Sequence, residues 1–181
     1  MFKKLLVAID DLERDREVFD EALAIARVQG ASLLLLHILP SEDQTNLFPP
    51  TLMGYGTPLI VETTVERFRQ DWKALENHGL EMLQRIAAEA TADGVSCDFI
   101  QLVGSPAPMI CEIARNWDVD LLVLGRRGFS GLAEVFLGSV SNYALHHAPC
   151  SVLVVQNQQS KATLNTTKTQ QEKVVPLQQK S

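Results

Sequence analysis

The chain has 181 residues, 46% of them apolar, which is enough for one domain with a hydrophobic core. Its formal net charge of −6 argues against non-specific nucleic-acid binding, which needs a basic surface. No apolar run approaches the roughly 20 residues of a membrane span, and the N-terminus does not resemble a signal peptide. The three cysteines are too widely spaced for a disulfide framework or a zinc site. We therefore expect a cytoplasmic protein with neither a membrane nor a nucleic-acid partner.

Short apolar runs alternate with segments of helical periodicity along the first 155 residues. The predicted strands are Lys4–Ile9, Ser32–Ile38, Val95–Val103, Asp120–Leu124 and Ser151–Val155. The predicted helices are Glu13–Gln29, Val61–Ala92, Ser105–Asn116 and Ser139–His147.

This alternation predicts an α/β fold with a five-stranded parallel sheet and helices on both faces. Every connection between strands is long enough for a right-handed crossover. Ligands of such sheets lie outside the carboxyl ends of the strands, where the strand order reverses. The pattern alone does not give that order.

Two segments interrupt the regular pattern. Residues 41–59 contain three prolines and two glycines with little periodicity, which predicts a long flexible insertion. Residues 156–181 contain seven glutamines and almost no apolar periodicity, so we expect a disordered C-terminal tail after a single domain of residues 1–155.

Glycines cluster where the fourth predicted strand ends and the last helix begins. Gly125 and Gly128 follow the strand, and Gly138-Ser139 precede the helix. Glycine allows the backbone to approach a phosphate, and a helix N-terminus adds unpaired N–H groups and a positive dipole end. This segment therefore predicts an anion site, although the same residues can simply end a strand and cap a helix. Neither the Walker A lysine nor the G-x-G-x-x-G spacing occurs.

The spacing Gly125-x2-Gly128-x9-Gly138-Ser139 resembles the nucleotide-binding signature G-2x-G-9x-G-(S/T) of the ATP-binding branch of the universal stress protein family. Flanking segments of residues 1–155 resemble the same family, namely Leu5–Asp10, His37-Ile38, Gly104–Ala107 and Ala148–Val155.

The resemblance implies a Rossmann-like sheet of order 3-2-1-4-5, similar to the adenine nucleotide alpha hydrolases. It also implies an adenine nucleotide, ATP or else AMP or ADP, at the crevice between strands 1 and 4. Asp10 would accept from a ribose hydroxyl, because a carboxylate is an acceptor and suits sugar better than phosphate. Ala8 and Ile38 would flank the adenine, and Leu124 would lie near the base or sugar. The phosphates would be surrounded by Gly125, Arg127, Gly128, Gly138, Ser139, Val140 and Ser141.

Two carboxylates beside Asp10 depart from the family pattern, which often has a small hydroxyl residue there. Asp11 and Glu13 would repel a triphosphate, help to hold Mg²⁺ or Mn²⁺ with it, or remain solvated charges at a helix start. We expect the last of these.

No nucleophile–base set stands out, so the resemblance favours a stress-response or signalling module over an efficient catalyst. The alternatives are a slow hydrolase of ATP or another adenine nucleotide, a flavin- or AMP-binding domain, and an interaction module without nucleotide. The apolar strand Ser151–Val155 is an association hazard unless it is paired, and the family uses this strand for dimers. We therefore expect a homodimer through that strand.

Overall fold

The computed structural model describes residues 1–41, 58–126 and 137–156. Its strands are β1 Lys4–Ala8, β2 Ser32–Leu39, β3 Cys97–Val103, β4 Leu121–Gly125 and β5 Ser151–Val155. Its helices are α1 Leu12–Gln29, α2 Pro58–Ala92, α3 Pro106–Asn116 and α4 Ser139–His147.

The five strands form one parallel sheet in the order β3-β2-β1-β4-β5, which confirms the predicted α/β fold and strand order. The first strand of the chain is the centre of the sheet. Leu5, Leu6 and Val7 are each 1% exposed or less, because helices cover both faces of β1. Burial on both faces explains why this strand is continuously apolar rather than alternating.

Each face of the sheet has its own hydrophobic core. Leu5 and Val7 point into the core that α1 and α2 cover, where Phe19 is fully buried. Leu6 points into the opposite core, which α3 and α4 cover. Successive residues of β1 thus alternate between two cores, as the geometry of a strand requires.

Local chemistry determines where α1 begins and ends. The side chain of Asp11 caps its N-terminus and accepts the Glu13 N–H at 2.9 Å. Gly30 ends the helix in the left-handed conformation at φ 64°, so the helix ends at Gln29, as predicted. Strand β1 ends at Ala8, one residue earlier than predicted, although the Ile9 N–H still donates to the Leu36 carbonyl of β2 at 2.9 Å.

The start of α2 and the end of β4 differ from the predicted bounds by a few residues. Helix α2 begins at Pro58, so the last two residues of the predicted insertion are helical, while residues 42–57 lie outside the described part of the chain. Residues 157–181 of the predicted tail also lie outside it.

Gly125 is the last residue of β4 rather than the first of a loop, because it pairs with Val155. Among the described residues, no helix is both long and apolar enough to cross a membrane.

Candidate functional site

The strand order reverses between β1 and β4. From β1 the chain continues through α1 to β2 on one side, whereas β4 is followed by β5 on the other side. The connections therefore diverge at the carboxyl ends of β1 and β4, which is where sheets of this kind form a ligand-binding crevice. Asp10 follows β1 and Gly125 ends β4, so both lie at this edge of the sheet.

The turn from β1 to α1 carries two of the predicted acidic residues. The side chain of Asp10 is 44% exposed, and its Oδ2 lies 3.6 Å from Nη2 of Arg14. Oδ2 of Asp11 lies 3.1 Å from the same nitrogen. The guanidinium of Arg14 therefore offsets part of the negative charge at the crevice mouth. Since Asp11 also caps α1, it acts here as a structural charge at a helix start.

Asp15 is a crevice residue that the sequence analysis missed. Its Oδ2 accepts the backbone N–H groups of Asp10 at 2.8 Å and of Asp11 at 3.3 Å. Its Oδ1 lies 3.0 Å from the position that a Cβ on Gly125 would occupy. One half-buried carboxylate thus contacts the ends of both strands that form the crevice. A signal did exist in the sequence, because Asp15 falls on the helix face of the buried residues Val18 and Phe19.

The end of β4 is tightly enclosed. The Arg126 N–H donates to the Val155 carbonyl at 2.9 Å, which holds the strand end against β5. A Cβ on Gly125 would also lie 3.2 Å from Cγ2 of Val18, so a larger residue there would require α1 to shift by a few tenths of an ångström. Leu124 and Ile38 are buried in the core beneath α3 and α4, and Ala8 packs against that core from the end of β1.

The N-terminus of α4 supplies hydrogen-bond donors. Gly138 is the N-cap residue, and the first helical hydrogen bond runs from the Asn142 N–H to the Gly138 carbonyl at 2.8 Å. Helix geometry leaves the N–H groups of Ser139, Val140 and Ser141 without acceptors inside the helix.

The two serines of this helix start differ in what they offer. Ser139 is exposed, so its hydroxyl is accessible from outside the protein. Ser141 is 1% exposed, and its hydroxyl donates to the Gly138 carbonyl at 3.1 Å. The backbone N–H of Ser141 is thus a better candidate donor than its side chain. Arg127 and Gly128 lie outside the described residues.

A protein-built metal centre does not appear in the described part of the chain. Within residues 1–41, 65–126 and 137–156, no three histidine, cysteine or acidic side chains converge on a point where a metal ion would bind. The carboxylates at the crevice are instead engaged by backbone N–H groups and by Arg14. Because these carboxylates already accept from N–H donors, they do not form a resident site for Mg²⁺ or Mn²⁺.

The cysteine side chains lack the features of reactive thiols. Cys97, Cys111 and Cys150 are all free. Burial raises the pKa of each thiol, and that of Cys97 rises to about 11. A thiol nucleophile needs a lowered pKa, so the shift is in the wrong direction for catalysis.

Comparisons with known proteins agree with this fold. The model of the universal stress protein family matches residues 1–156. Universal stress protein Sll1388 of Synechocystis sp. is 38% identical over 156 residues, which cover 86% of this chain and 99% of that protein. The similarity therefore spans every strand of the sheet.

Solved structures show the same architecture. Protein MJ0577 of Methanocaldococcus jannaschii aligns with a TM-score of 0.66 at 25% identity, covering 87% of this chain and 97% of the other. A universal stress protein family protein of Arabidopsis thaliana with AMP bound aligns with a TM-score of 0.58 at 23% identity, covering 88% of this chain and 94% of the other. From the family model, the full-length relative and the shared fold, we conclude that the chain belongs to the universal stress protein family.

Proposed function

We propose that this protein binds an adenine nucleotide, with ATP among its ligands, in the crevice between β1 and β4. The proposal is carried by the topology, which brings the turn after β1 and the start of α4 to the same, carboxyl edge of the sheet. Asp10 offers acceptor oxygens there, and the first turn of α4 offers backbone donors. A nucleotide needs both, because ribose hydroxyls donate and phosphates accept.

The proposed ligand class follows from the hydrogen-bonding groups at the two parts of the site, which are acceptors at Asp10 and donors at the start of α4. The carboxylate of Asp10 suits the sugar, and the N–H groups of Ser139, Val140 and Ser141 suit a phosphate. The Arabidopsis relative with AMP bound has the same fold, which supports adenosine and phosphate as the ligand class. Since the described residues form no metal centre, we propose that any Mg²⁺ or Mn²⁺ arrives bound to the phosphates of the nucleotide.

We propose that the protein signals by having a nucleotide bound or not bound, rather than by rapid hydrolysis of the nucleotide. A ligand that binds one conformation better than another shifts the population toward it, and a partner protein can then distinguish the two. In this proposal the protein is a cytoplasmic stress-response module. It acts as a homodimer that pairs through the β5 edge, where residues Val152–Val155 are only partly buried in the single chain.

Calorimetric titration with ATP, ADP, AMP and cyclic AMP, each with and without Mg²⁺, tests the proposal. We expect micromolar binding of at least one nucleotide. In Asp10→Ala we expect an affinity at least about tenfold weaker, because a charge-assisted hydrogen bond to the ribose is lost. Glu21→Ala is the matched control, since it removes an exposed carboxylate lower on α1.

Two outcomes would overturn parts of the proposal. If the wild-type protein bound none of the four nucleotides, the crevice would have no nucleotide role. If it hydrolysed ATP through many turnovers, and Asp10→Ala stopped the reaction, the signalling module would give way to a slow adenine-nucleotide hydrolase.

A further inference from the structure

The first turn of α3 differs from that of α4 in the donors that it offers. Its cap residue Ser105 makes no side-chain hydrogen bond to the helix, and Pro106 and Pro108 have no N–H group. The Met109 N–H already donates to the Ser105 carbonyl at 3.3 Å. The start of α3 is therefore poorly suited to a phosphate and better suited to an uncharged part of a ligand.

The side chain of Met109 folds across Gly104 at the end of β3. Gly104 has φ 153°, a conformation that favours glycine, and a Cβ there would overlap the Met109 sulfur and lie 3.6 Å from its Cε. Two independent constraints thus keep a glycine beneath this thioether. Met109 is half-buried, so part of its side chain remains accessible at the carboxyl edge of the sheet.

Backbone hydrogen bonds connect this place to the turn that carries Asp10. The Gly104 N–H donates to the Leu39 carbonyl at 2.9 Å, and the Ile9 N–H donates to the Leu36 carbonyl at 2.9 Å. The ends of β1, β2 and β3 therefore lie side by side, and two strand spacings of about 4.8 Å each separate β1 from β3. A base attached to a ribose at Asp10 spans a distance of this order.

The apolar residues at this edge share one face of the sheet. Ala8, Ile38 and Leu124, the residues expected near the base, contact the core beneath α3 and α4, and so does Met109. A methionine side chain is flexible and polarisable, and its sulfur packs favourably against aromatic rings. A base on this face would therefore meet the thioether of Met109.

We infer that Met109 contacts the base of the bound nucleotide and that oxidation of its thioether weakens nucleotide binding. This inference rests on the proposed nucleotide-binding function. The oxidant is a peroxide. The sulfur attacks one oxygen of hydrogen peroxide, the O–O bond breaks, and the proton of the transferred oxygen passes to the leaving hydroxide, which becomes water. The sulfur loses two electrons, the peroxide gains them, and the side chain becomes a polar sulfoxide.

Calorimetric titration of three variants with AMP tests the contact. Met109→Leu keeps the side-chain volume, so we expect its affinity to be within about threefold of that of the wild type. Met109→Ala removes the contact, and we expect an affinity about tenfold weaker. Ile113→Ala is the matched control, because it shortens a half-buried side chain one turn farther along α3 in the same core. We expect its affinity to equal that of the wild type.

Treatment with hydrogen peroxide tests the effect of oxidation. Peptide mass spectrometry measures the sulfoxide at Met109, and the oxidised protein is then titrated with AMP. We expect the affinity of the wild type to fall about tenfold, whereas Met109→Leu treated in the same way keeps its affinity. Met82→Leu is the control, since Met82 is 7% exposed in the core on the opposite face. It should remain as sensitive as the wild type.

Other outcomes would overturn the inference. An equal loss of affinity in Met109→Ala and Ile113→Ala would mean that Met109 acts only through the packing of α3. A loss of affinity in peroxide-treated Met109→Leu would mean that another residue is the sensitive group. Wild-type protein that binds no AMP, ADP, ATP or cyclic AMP would contradict the proposed function itself, so the two failures are distinguishable. Circular dichroism and urea unfolding establish that each variant is folded.

Discussion

His37 of β2 and Gln101 of β3 face each other in register on neighbouring strands, with Nδ1 of the imidazole 3.0 Å from Oε1 of the amide. Because that amide oxygen is only an acceptor, the bond requires the proton to be on Nδ1. The amide nitrogen of Gln101 donates to the Glu76 carbonyl of α2 at 3.0 Å. This pair thus links a buried histidine, 6% exposed, to the helix that crosses above it.

Gly79 allows α2 to lie close over this pair. A Cβ at residue 79 would overlap the Gln101 amide oxygen and lie 2.5 Å from His37 Nδ1. We therefore expect Gly79→Ala to lower the free energy of unfolding by about 2 kcal/mol, despite the better helix propensity of alanine. Urea unfolding monitored by circular dichroism measures the change.

Asn77→Ala provides the comparison for this prediction. Asn77 is exposed on the same helix, so alanine there gains helix propensity without a clash. We expect it to be slightly stabilising. Equal stabilisation by Gly79→Ala would show that α2 shifts freely and that the close approach has no energetic importance.

The β5 edge provides a test of the proposed dimer. Among the described strands β5 pairs only with β4, which leaves its other edge open, and Val154 is partly buried in the single chain. We expect wild-type protein to have the mass of a dimer by multi-angle light scattering. Val154→Asp should give monomers, because a charge buried at a two-fold interface faces its own copy.

Val28→Asp is the matched control for the interface. Val28 is 84% exposed near the end of α1, far along the chain from β5. The same charge introduced there should leave the dimer intact. If Val154→Asp remained dimeric, the contact between copies would lie elsewhere on the surface.

Asp120 should contribute to stability in a pH-dependent way. Its carboxylate accepts the Lys3 and Lys4 backbone N–H groups at 2.7 and 2.9 Å, and these bonds lower its pKa below the usual value. A lowered pKa in the folded state means that the contribution is present above the unfolded pKa of about 4. It is lost as the pH falls through the lower folded value.

Urea unfolding between pH 7 and pH 2 measures this contribution. We expect Asp120→Asn to lower stability near neutral pH and to make the acid-side loss of stability shallower than in the wild type. Asp98→Asn, an exposed acid on β3, controls for the general loss of one carboxylate. If the free energy of unfolding of Asp120→Asn fell as steeply with decreasing pH as that of the wild type, Asp120 would not be a source of this pH dependence.

The cysteines should react slowly in the folded protein. Burial raises the pKa of Cys97 to about 11, so its thiolate is rare at pH 8. We expect iodoacetamide to alkylate Cys97 about a hundredfold more slowly in the native protein than in the urea-unfolded chain at that pH. Mass spectrometry of the modified peptides gives the rate. Comparable rates in the two states would mean that the β3 edge opens readily.

The sequence predicted the framework well because local chemistry determines it. Buried parallel strands require continuous apolar runs such as Leu33–Leu36, and Gly30 ends α1 through the left-handed conformation that glycine adopts easily. The strand order, in contrast, could not be predicted from local chemistry. It came from the resemblance carried by Gly125, Gly128 and Gly138-Ser139, because periodicity does not report which strands are neighbours.

Features that depend on the packing of distant elements could not be predicted from the sequence. Asp15 is one of several acids at the start of α1, and only the packing of that helix on β4 places it against Gly125. Gly79 is likewise one residue of a long helical pattern, and only the packing of α2 on the sheet brings it against His37 and Gln101. Neither contact leaves a periodic signal, since each joins residues far apart in sequence.

The central position of β1 has a consequence for how the protein is made. This first strand pairs with β4, and Lys4 meets Asp120 across 116 positions of the chain. At ordinary rates of synthesis, β4 is translated roughly ten seconds after β1. Until then β2 is the only native neighbour available to β1, and one edge of the central strand stays open. A nascent chain that stalls before β4 would expose that edge to chaperones or to aggregation.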